Sequence, residues 1–291
     1  GLGGVCLTAR HGPARAAWLE AFTALLPEGT PLRRLPPAIA DDRLLGGLDL
    51  AATLSAGRPV ARAGLLAEAD GGVVILPMAE RAEAGLVGRL AAALDTGELR
   101  AERDGLSVTA PARIGVVALD EDEGEEGGLA PPLADRLALR VDLSALSHRD
   151  LGPVPYSAAD VAAARAALPE TEGDPEAEAA LAATALSCGL VSLRPALQAA
   201  RAARALMALH GPAMSPAEAA EIAARLVIAP RALQLPAPPE TDEETQEETP
   251  PDPPPEQEEA EARSEDETQP LPDRVLEAVR AALPPELLAS L

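Results

Sequence analysis

The chain has 291 residues, with 47 acidic and 24 cationic side chains and a formal charge of −23; every cation is arginine, and neither lysine nor asparagine occurs. That acidity argues against non-specific binding to nucleic acid or to an anionic membrane surface, both of which need a positive field. No apolar run reaches the roughly 20 residues of a membrane span, Gly1 opens no basic, apolar, cleavable leader, and Cys6 and Cys188 are too few and too far apart for a disulfide framework or a zinc site, so a soluble, cytoplasmic protein is expected.

From the first residue, short apolar runs alternate with helical patterns. Gly4-Val5-Cys6-Leu7 reads as a buried strand, followed by a Gly-Pro turn and a helix from about Ala14 to Leu26, on which Trp18 and Phe22 stand at core spacing. Gly72–Leu76 (GVVIL) is a second buried strand and Leu86–Leu94 a helix. Leu99–Glu102 and Leu106–Thr109 flank Arg103-Asp104-Gly105, where Asp-Gly signals a tight hairpin. Ile114–Leu119 (IGVVAL) and Leu137–Leu143 (LALRVDL) are two further strands. Alternation of this kind predicts a mostly parallel sheet covered by helices over residues 1–150.

Residues 151–235 are different. Ala158–Leu168, Glu176–Cys188, Pro195–Leu209 and Pro216–Ile228 read as Ala-rich helices in a small helical domain, and Ser215-Pro-Ala-Glu218 starts the last with a capping box. Residues 236–272 follow as an acidic, proline-rich linker: between Glu240 and Thr268 there are 14 acids against Arg263 alone. Such a segment cannot bury enough apolar surface to offset its ordering entropy. Residues 273–291 then read as a helix leading into a further domain, with Val275, Leu276, Val279 and Leu283 at helical spacing.

A strand, a glycine turn and a helix make the layout of a phosphate-binding loop, where the helix N–H groups and the positive end of its dipole hold an anion. A working loop reads GxxxxGK[ST], with lysine on the phosphates and a hydroxyl on magnesium. Here Leu7-Thr8-Ala9-Arg10-His11-Gly12-Pro13-Ala14-Arg15-Ala16 keeps Gly12, loses an N–H to Pro13, and no lysine or Ser/Thr follows that glycine in the stretch. Arg15 either replaces the lysine charge or belongs to a plain strand–turn–helix. The second strand ends in Pro77-Met78 instead of the Asp-Glu that active ATPases use to hold magnesium and activate water, and Glu80 is expected to point elsewhere. The third runs into Asp120-Glu121-Asp122-Glu123 rather than a polar sensor, and these acids would repel a phosphate. Three phosphate-facing positions have lost their chemistry. His11, His148 and His210 are scattered, and no metal ligand is assigned.

The order of the pieces resembles the AAA+ ATPase subunits of magnesium chelatase. Gly47-Leu-Asp-Leu50, Ala63-Gly-Leu-Leu-Ala67 and Gly72-Val-Val-Ile-Leu76 match the family's GxDL, PGLLAxA and apolar strand. Glu102-Arg-Asp-Gly-Leu-Ser107 to Pro111-Ala-Arg113 matches the hairpin insert EREGxSxxxPARF, and Leu133-Ala-Asp-Arg-Leu137 matches LLDRF. Leu193-Arg194-Pro195 and Arg201-Ala-Ala-Arg-Ala-Leu206 follow where the family has LRG and RAARAL. The resemblance covers roughly residues 4–235. It implies an α/β fold with an AAA+ P-loop parallel sheet, the hairpin insert and a small all-α lid.

The degraded loop and acidic linker resemble the larger, D-type branch of that family, which carries a C-terminal integrin-like domain; the lysine-free, Arg/Ala-rich composition points to a high-GC bacterium and bacteriochlorophyll synthesis. The resemblance implies a non-hydrolysing subunit that joins the active ATPase subunit and a large porphyrin-binding subunit in a ring-type hetero-oligomer. ATP and Mg²⁺ would then act at the level of the complex, with little bound tightly by this chain. Arg136 matches the arginine finger that reaches a neighbouring subunit's site, against a surface arginine paired with Asp135. Arg194 matches the sensor-2 arginine, against an intra-domain ion pair. Glu98, Arg100, Glu102, Arg103 and Asp104 on the hairpin are either a solvated surface or a contact to another ring. The rival readings are a purely structural scaffold and a MoxR-like or MCM-like remodelling ATPase.

Overall fold

The apolar runs bounded by glycine and proline become strands of one parallel sheet. The computed structural model describes residues 1–103, 106–121, 128–234 and 271–282, in two units, Gly1–Glu170 and Thr171–Leu291. The first unit opens with β1 (Gly4–Thr8), α1 (Pro13–Ala24), β2 (Leu32–Arg34) and α2 (Asp41–Leu44). It continues through β3 (Gly46–Leu48), α3 (Leu50–Ala56), β4 (Ala61–Ala63), α4 (Leu65–Glu68), β5 (Val73–Leu76) and α5 (Ala84–Thr96). After the hairpin β6 (Glu98–Arg103) and β7 (Leu106–Pro111) come β8 (Gly115–Asp120), α6 (Pro131–Ala134), β9 (Leu139–Asp142) and α7 (Ala158–Ala167).

The sheet order is β2-β5-β8-β1-β9, with every neighbouring pair parallel. Thr8 at the end of β1 lies level with Asp120 of β8 and Asp142 of β9. The loops after these strands therefore open along one edge, the carboxyl edge at which open α/β sheets bind their ligands. Side chains alternate between the two faces, as the pleat requires. Val5, Leu7, Val117 and Leu119 meet Trp18, Leu19 and Phe22 of α1 on one side, where Trp18 and Phe22 stack at 5.3 Å. Cys6, Val74, Leu76, Val116 and Ala118 meet Leu66, Leu90, Leu133 and Leu137 on the other.

The antiparallel hairpin pairs Glu98 with Pro111 through Arg103 with Leu106, in the expected place; its turn residues Asp104 and Gly105 lie outside the described residues. The small antiparallel ribbon β3–β4 is not legible as strand, because it consists of GGL and ARA. What holds it is close backbone approach. A Cβ on Gly64 would stand 2.2 Å from the Gly46 nitrogen, and Gly46 itself has φ 88. Only glycine fits both positions.

The second unit holds α8 (Pro175–Ser187), α9 (Leu193–His210), α10 (Pro216–Ala223), which runs on as a π-helical turn over Ala224–Ile228, and α11 (Leu271–Ala282). α7, assigned by the sequence to this helical domain, groups instead with the first unit; it contains no fully buried residue. The helical packing starts at α8, where Asp174 caps Ala177 N–H at 2.8 Å. Its core is largely alanine: Ala180, Ala199, Ala203, Ala220 and Ala224 are buried, as is Leu181. The capping box read from the sequence is present: Ser215 N–H and Oγ–H donate to Glu218 Oε2 at 2.8 and 3.0 Å, and Glu218 N–H donates to Ser215 Oγ at 3.2 Å.

α11 also packs into this unit, against α8, α10 and the π-turn, although the sequence reads it as leading into a further domain. Val275 and Val279, four apart, are fully buried. Arg280 grips Glu221 of α10 with two hydrogen bonds, Nε to Oε1 at 2.6 Å and an NH2 to Oε2 at 3.1 Å. The acidic stretch called a linker, 236–272, lies outside the described residues except for the first residues of α11, as do 283–291. Both flanks of that stretch, Gln234 and α11, belong to the same unit.

Two outcomes follow from this packing. Val279→Ala destabilises the helical unit by about 2 kcal/mol in urea titration, whereas the exposed Glu277→Ala changes it by no more than about 0.5 kcal/mol; equal effects would mean that α11 is undocked. The Ser215 bonds hold the Glu218 carboxyl below its ordinary range, backbone N–H first. A depressed carboxylate adds stability above its unfolded pKa and loses it as pH falls through the folded value. Glu218→Gln is therefore less thermostable than wild type at neutral pH, and the gap closes as the melts are moved into acid.

Candidate functional site

The loop from β1 to α1 is the place a phosphate would bind. Ala9 N–H donates to Asp120 O at 3.0 Å and prolongs the β1–β8 pairing into the loop. Gly12, the N-cap of α1, is fully extended at φ 174, and a Cβ there would meet nothing within 4 Å; packing does not demand this glycine. Pro13 starts the helix and supplies no N–H.

Arg15, in the first turn of α1, is only 6% exposed. One of its terminal nitrogens donates to Glu121 Oε1 at 2.6 Å and stands 3.5 Å from Ala9 O. Glu121 follows directly on β8, and its N–H donates to Glu80 Oε2 at 3.3 Å. Glu80 reaches this point because Met78 adopts φ 48, the only positive φ of a non-glycine among the described residues. Left-handed backbone is uncommon for such a residue. The turn it starts, Ala79–Arg81, brings the Glu80 carboxylate round to the tip of β8, where its side chain is 9% exposed and also meets Arg81 Nε at 3.4 Å. The expectation that Glu80 points elsewhere is thus corrected.

One buried guanidinium and the carboxylates of Glu121, Glu80 and the buried Asp120 therefore gather at the carboxyl edge of β1, β5 and β8. These residues do not fit a magnesium nucleotide. Arg15 is already neutralised, the surrounding acids repel phosphate, and neither a lysine nor a Ser/Thr hydroxyl stands in the first turn of α1. Glu121 is not optional to the fold as it stands, because an unpaired buried charge costs about 3–5 kcal/mol.

Arg136, two residues beyond α6, folds back on its own unit. Its Nε donates to Asp95 Oδ2 at 3.0 Å, one NH2 group makes a shorter bond to the same oxygen, and the other nitrogen donates to Pro132 O at 2.7 Å. Its side chain is 19% exposed. The partner is Asp95, in the last turn of α5, and not only the adjacent Asp135 that the sequence suggests. Arg194 sits in the second unit at the start of α9, half-buried, with its N–H on Ser192 Oγ at 3.2 Å.

Other motif residues prove to be structural. Arg113 binds Asp70 through its backbone N–H at 2.8 Å, Nε at 3.2 Å and an NH2 at 2.9 Å, tying the entry of β8 to the entry of β5. The guanidinium bond, then the backbone bond, hold the Asp70 carboxyl below its usual range. On the hairpin, Arg100 and Glu98 form an exposed pair at 3.1 Å. No helix among the described residues is long and apolar enough to cross a membrane.

Against known proteins, the AAA lid domain family matches residues 178–253. The magnesium-chelatase 60 kDa subunit of Cereibacter sphaeroides is 42% identical over 291 residues, covering 100% of this chain and 48% of that protein. Along its whole length the chain is similar to magnesium-chelatase 60 kDa subunits, that of Rhodobacter capsulatus being 40% identical over 291 residues. It spans about half the length of the curated relatives it matches. The magnesium-chelatase 38 kDa subunit of Rhodobacter capsulatus is 29% identical over 267 residues, covering 72% of this chain and 75% of that protein. Among solved structures, a putative ATPase from Cytophaga hutchinsonii aligns with a TM-score of 0.56 at 15% identity, over 78% of this chain and 77% of that one, a likeness of fold. The magnesium-chelatase resemblance carried by the GLDL, AGLLA, PAR and RAARAL motifs is borne out.

Proposed function

We propose that this chain is a non-hydrolysing AAA+ subunit of magnesium chelatase. In this reading it assembles in the cytoplasm with the active ATPase subunit into a ring-type hetero-oligomer. The assembly couples ATP turnover to insertion of Mg²⁺ into protoporphyrin IX on a large porphyrin-binding subunit, in bacteriochlorophyll synthesis. The observation that carries it is the Arg15–Glu121 pair, lodged at 2.6 Å where an ATPase holds phosphate, in a chain 42% identical along its whole length to a magnesium-chelatase subunit. A chain that keeps the sheet, the hairpin and the lid while its phosphate loop is filled from within is built to be a partner in hydrolysis.

Arg136 is the residue assigned to its neighbour's site. As an arginine finger it would leave Asp95 on assembly and stabilise charge on the phosphoryl group being cleaved next door, and Arg194 would take the sensor-2 place in the lid. Magnesium nucleotide belongs to the complex, and this chain's own loop holds none tightly. The pairing of Arg136 with Asp95 supports a second reading, a structural scaffold that lends no catalytic group.

One substitution separates them. Arg136→Ala lowers the ATPase rate of the assembled complex by about 10³-fold where the neighbouring sites depend on the finger, while gel filtration shows unchanged assembly. An unaltered rate leaves only the scaffold. Purified chain alone hydrolyses ATP no faster than a buffer blank; turnover at the rate of an active AAA+ protein would overturn the non-hydrolysing assignment.

A further inference from the structure

Magnesium nucleotide fails to fit the β1–α1 loop for more than one reason, and the geometry ranks them. Losing a lysine weakens phosphate binding. Placing a carboxylate on the remaining cation weakens it further, because the charge is neutralised and one terminal nitrogen is already engaged. We propose that Glu121 is an autoinhibitory carboxylate, a tethered stand-in for phosphate that occupies the anion position of this loop and keeps polyphosphate out. The proposal rests on the reading above, that the loop is a phosphate loop emptied of its nucleotide.

Three observations converge on Glu121. First, Arg15 is not a surface arginine that happens to meet an acid. It is 6% exposed in the first turn of a 12-residue helix, where the helix dipole and free N–H groups add to its positive field. Second, the carboxylate is aimed. Asp120, the residue before it, is fixed by the Ala9 N–H···O bond at 3.0 Å, and Glu121's own N–H is held by Glu80 at 3.3 Å. Third, the contact is short: the 2.6 Å N···O distance is that of a charge-assisted hydrogen bond.

A carboxylate and a phosphate oxygen ask the same thing of a guanidinium, an anionic acceptor in its plane. Glu121 competes from within the same folded unit, so its effective concentration is set by the fold and not by solution. A free anion must exceed that to displace it. Without Glu121, Arg15 remains buried beside a positive helix end with no counter-charge directly on it, a state that recruits an anion. Glu80 stays close and limits the gain, but its nearest cation is Arg81 at 3.4 Å. The ligand class is a short polyphosphate, inorganic pyrophosphate or the tail of a nucleoside diphosphate. No hydroxyl stands in the first turn of α1 to ligate a metal, so such binding needs no magnesium and leads to no cleavage.

The test is isothermal titration of the full chain with inorganic pyrophosphate in the presence of EDTA, comparing wild type, Glu121→Gln, Glu121→Ala and Glu121→Gln/Arg15→Ala, each checked for native thermal melting. The Glu121 side chain is 30% exposed, so neither substitution is overpacked, and the stability lost with the counter-charge of Arg15 is read from the melts, with titrations run well below each midpoint. At least one of them is expected to bind pyrophosphate tenfold or more tighter than wild type, and the added Arg15→Ala returns binding to the wild-type level. The proposal is overturned if neither single variant gains affinity, or if the gain survives removal of Arg15. This titration uses the chain alone and is blind to Arg136, so loss of the partner-subunit reading in the Arg136→Ala assay leaves its outcome intact, and the reverse also holds.

Discussion

A guanidinium taken out of water must be given a counter-ion, and at the head of α1 that requirement organises everything around it. Arg15 is buried by the packing of α1 on β1 and β8, and the answer comes from the strand next door in Glu121. In an active NTPase the nucleotide itself satisfies the positive loop, and the bound ligand adds to the stability of the folded state. Here the counter-charge is part of the chain, so the strand–turn–helix stands without a ligand. The losses seen one by one in the sequence thus form a single connected arrangement. Arg15 of the loop, Glu121 after β8, and Glu80, delivered by a left-handed Met78, are joined in it.

Much of the sheet was readable because its strands are buried on both faces and so appear as unbroken apolar runs, as in GVVIL and IGVVAL. The hairpin and the Ser215 capping box were readable for a related reason, since their signals are local. β2 was not, because Leu-Arg-Arg on a sheet edge carries no apolar pattern. Glu80 was misjudged because its direction depends on the Met78 backbone, and nothing in side-chain chemistry announces a positive φ. Asp95 escaped notice as the partner of Arg136 because it lies 41 residues earlier and is brought near only when α5 and α6 pack. The Arg15–Glu121 contact spans 106 residues. A hint did exist, in a buried-strand pattern that ends in acids beside a loop whose cation is an arginine.

Family motifs that look catalytic in a one-line sequence turn out to be joints. The glycine of the AGLLA stretch is where two backbone segments nearly touch, and Gly46, just before GLDL, is its counterpart. The arginine of PAR clamps Asp70 and so fixes how β7 hands over to β8. Such residues serve the formation of the sheet and its inserts, whatever the loop between β1 and α1 binds.

The docking of α11 has a consequence for the acidic stretch before it. Gln234 and Leu271 both belong to one helical unit, so the stretch between them starts and ends on the same unit. The entropy of closing such a loop grows only with the logarithm of its length, about 0.6 kcal/mol for each doubling. Lengthening the stretch therefore barely changes the stability of the helices that bracket it. The fold of those helices sets only a weak limit on how long that part of the sequence can be.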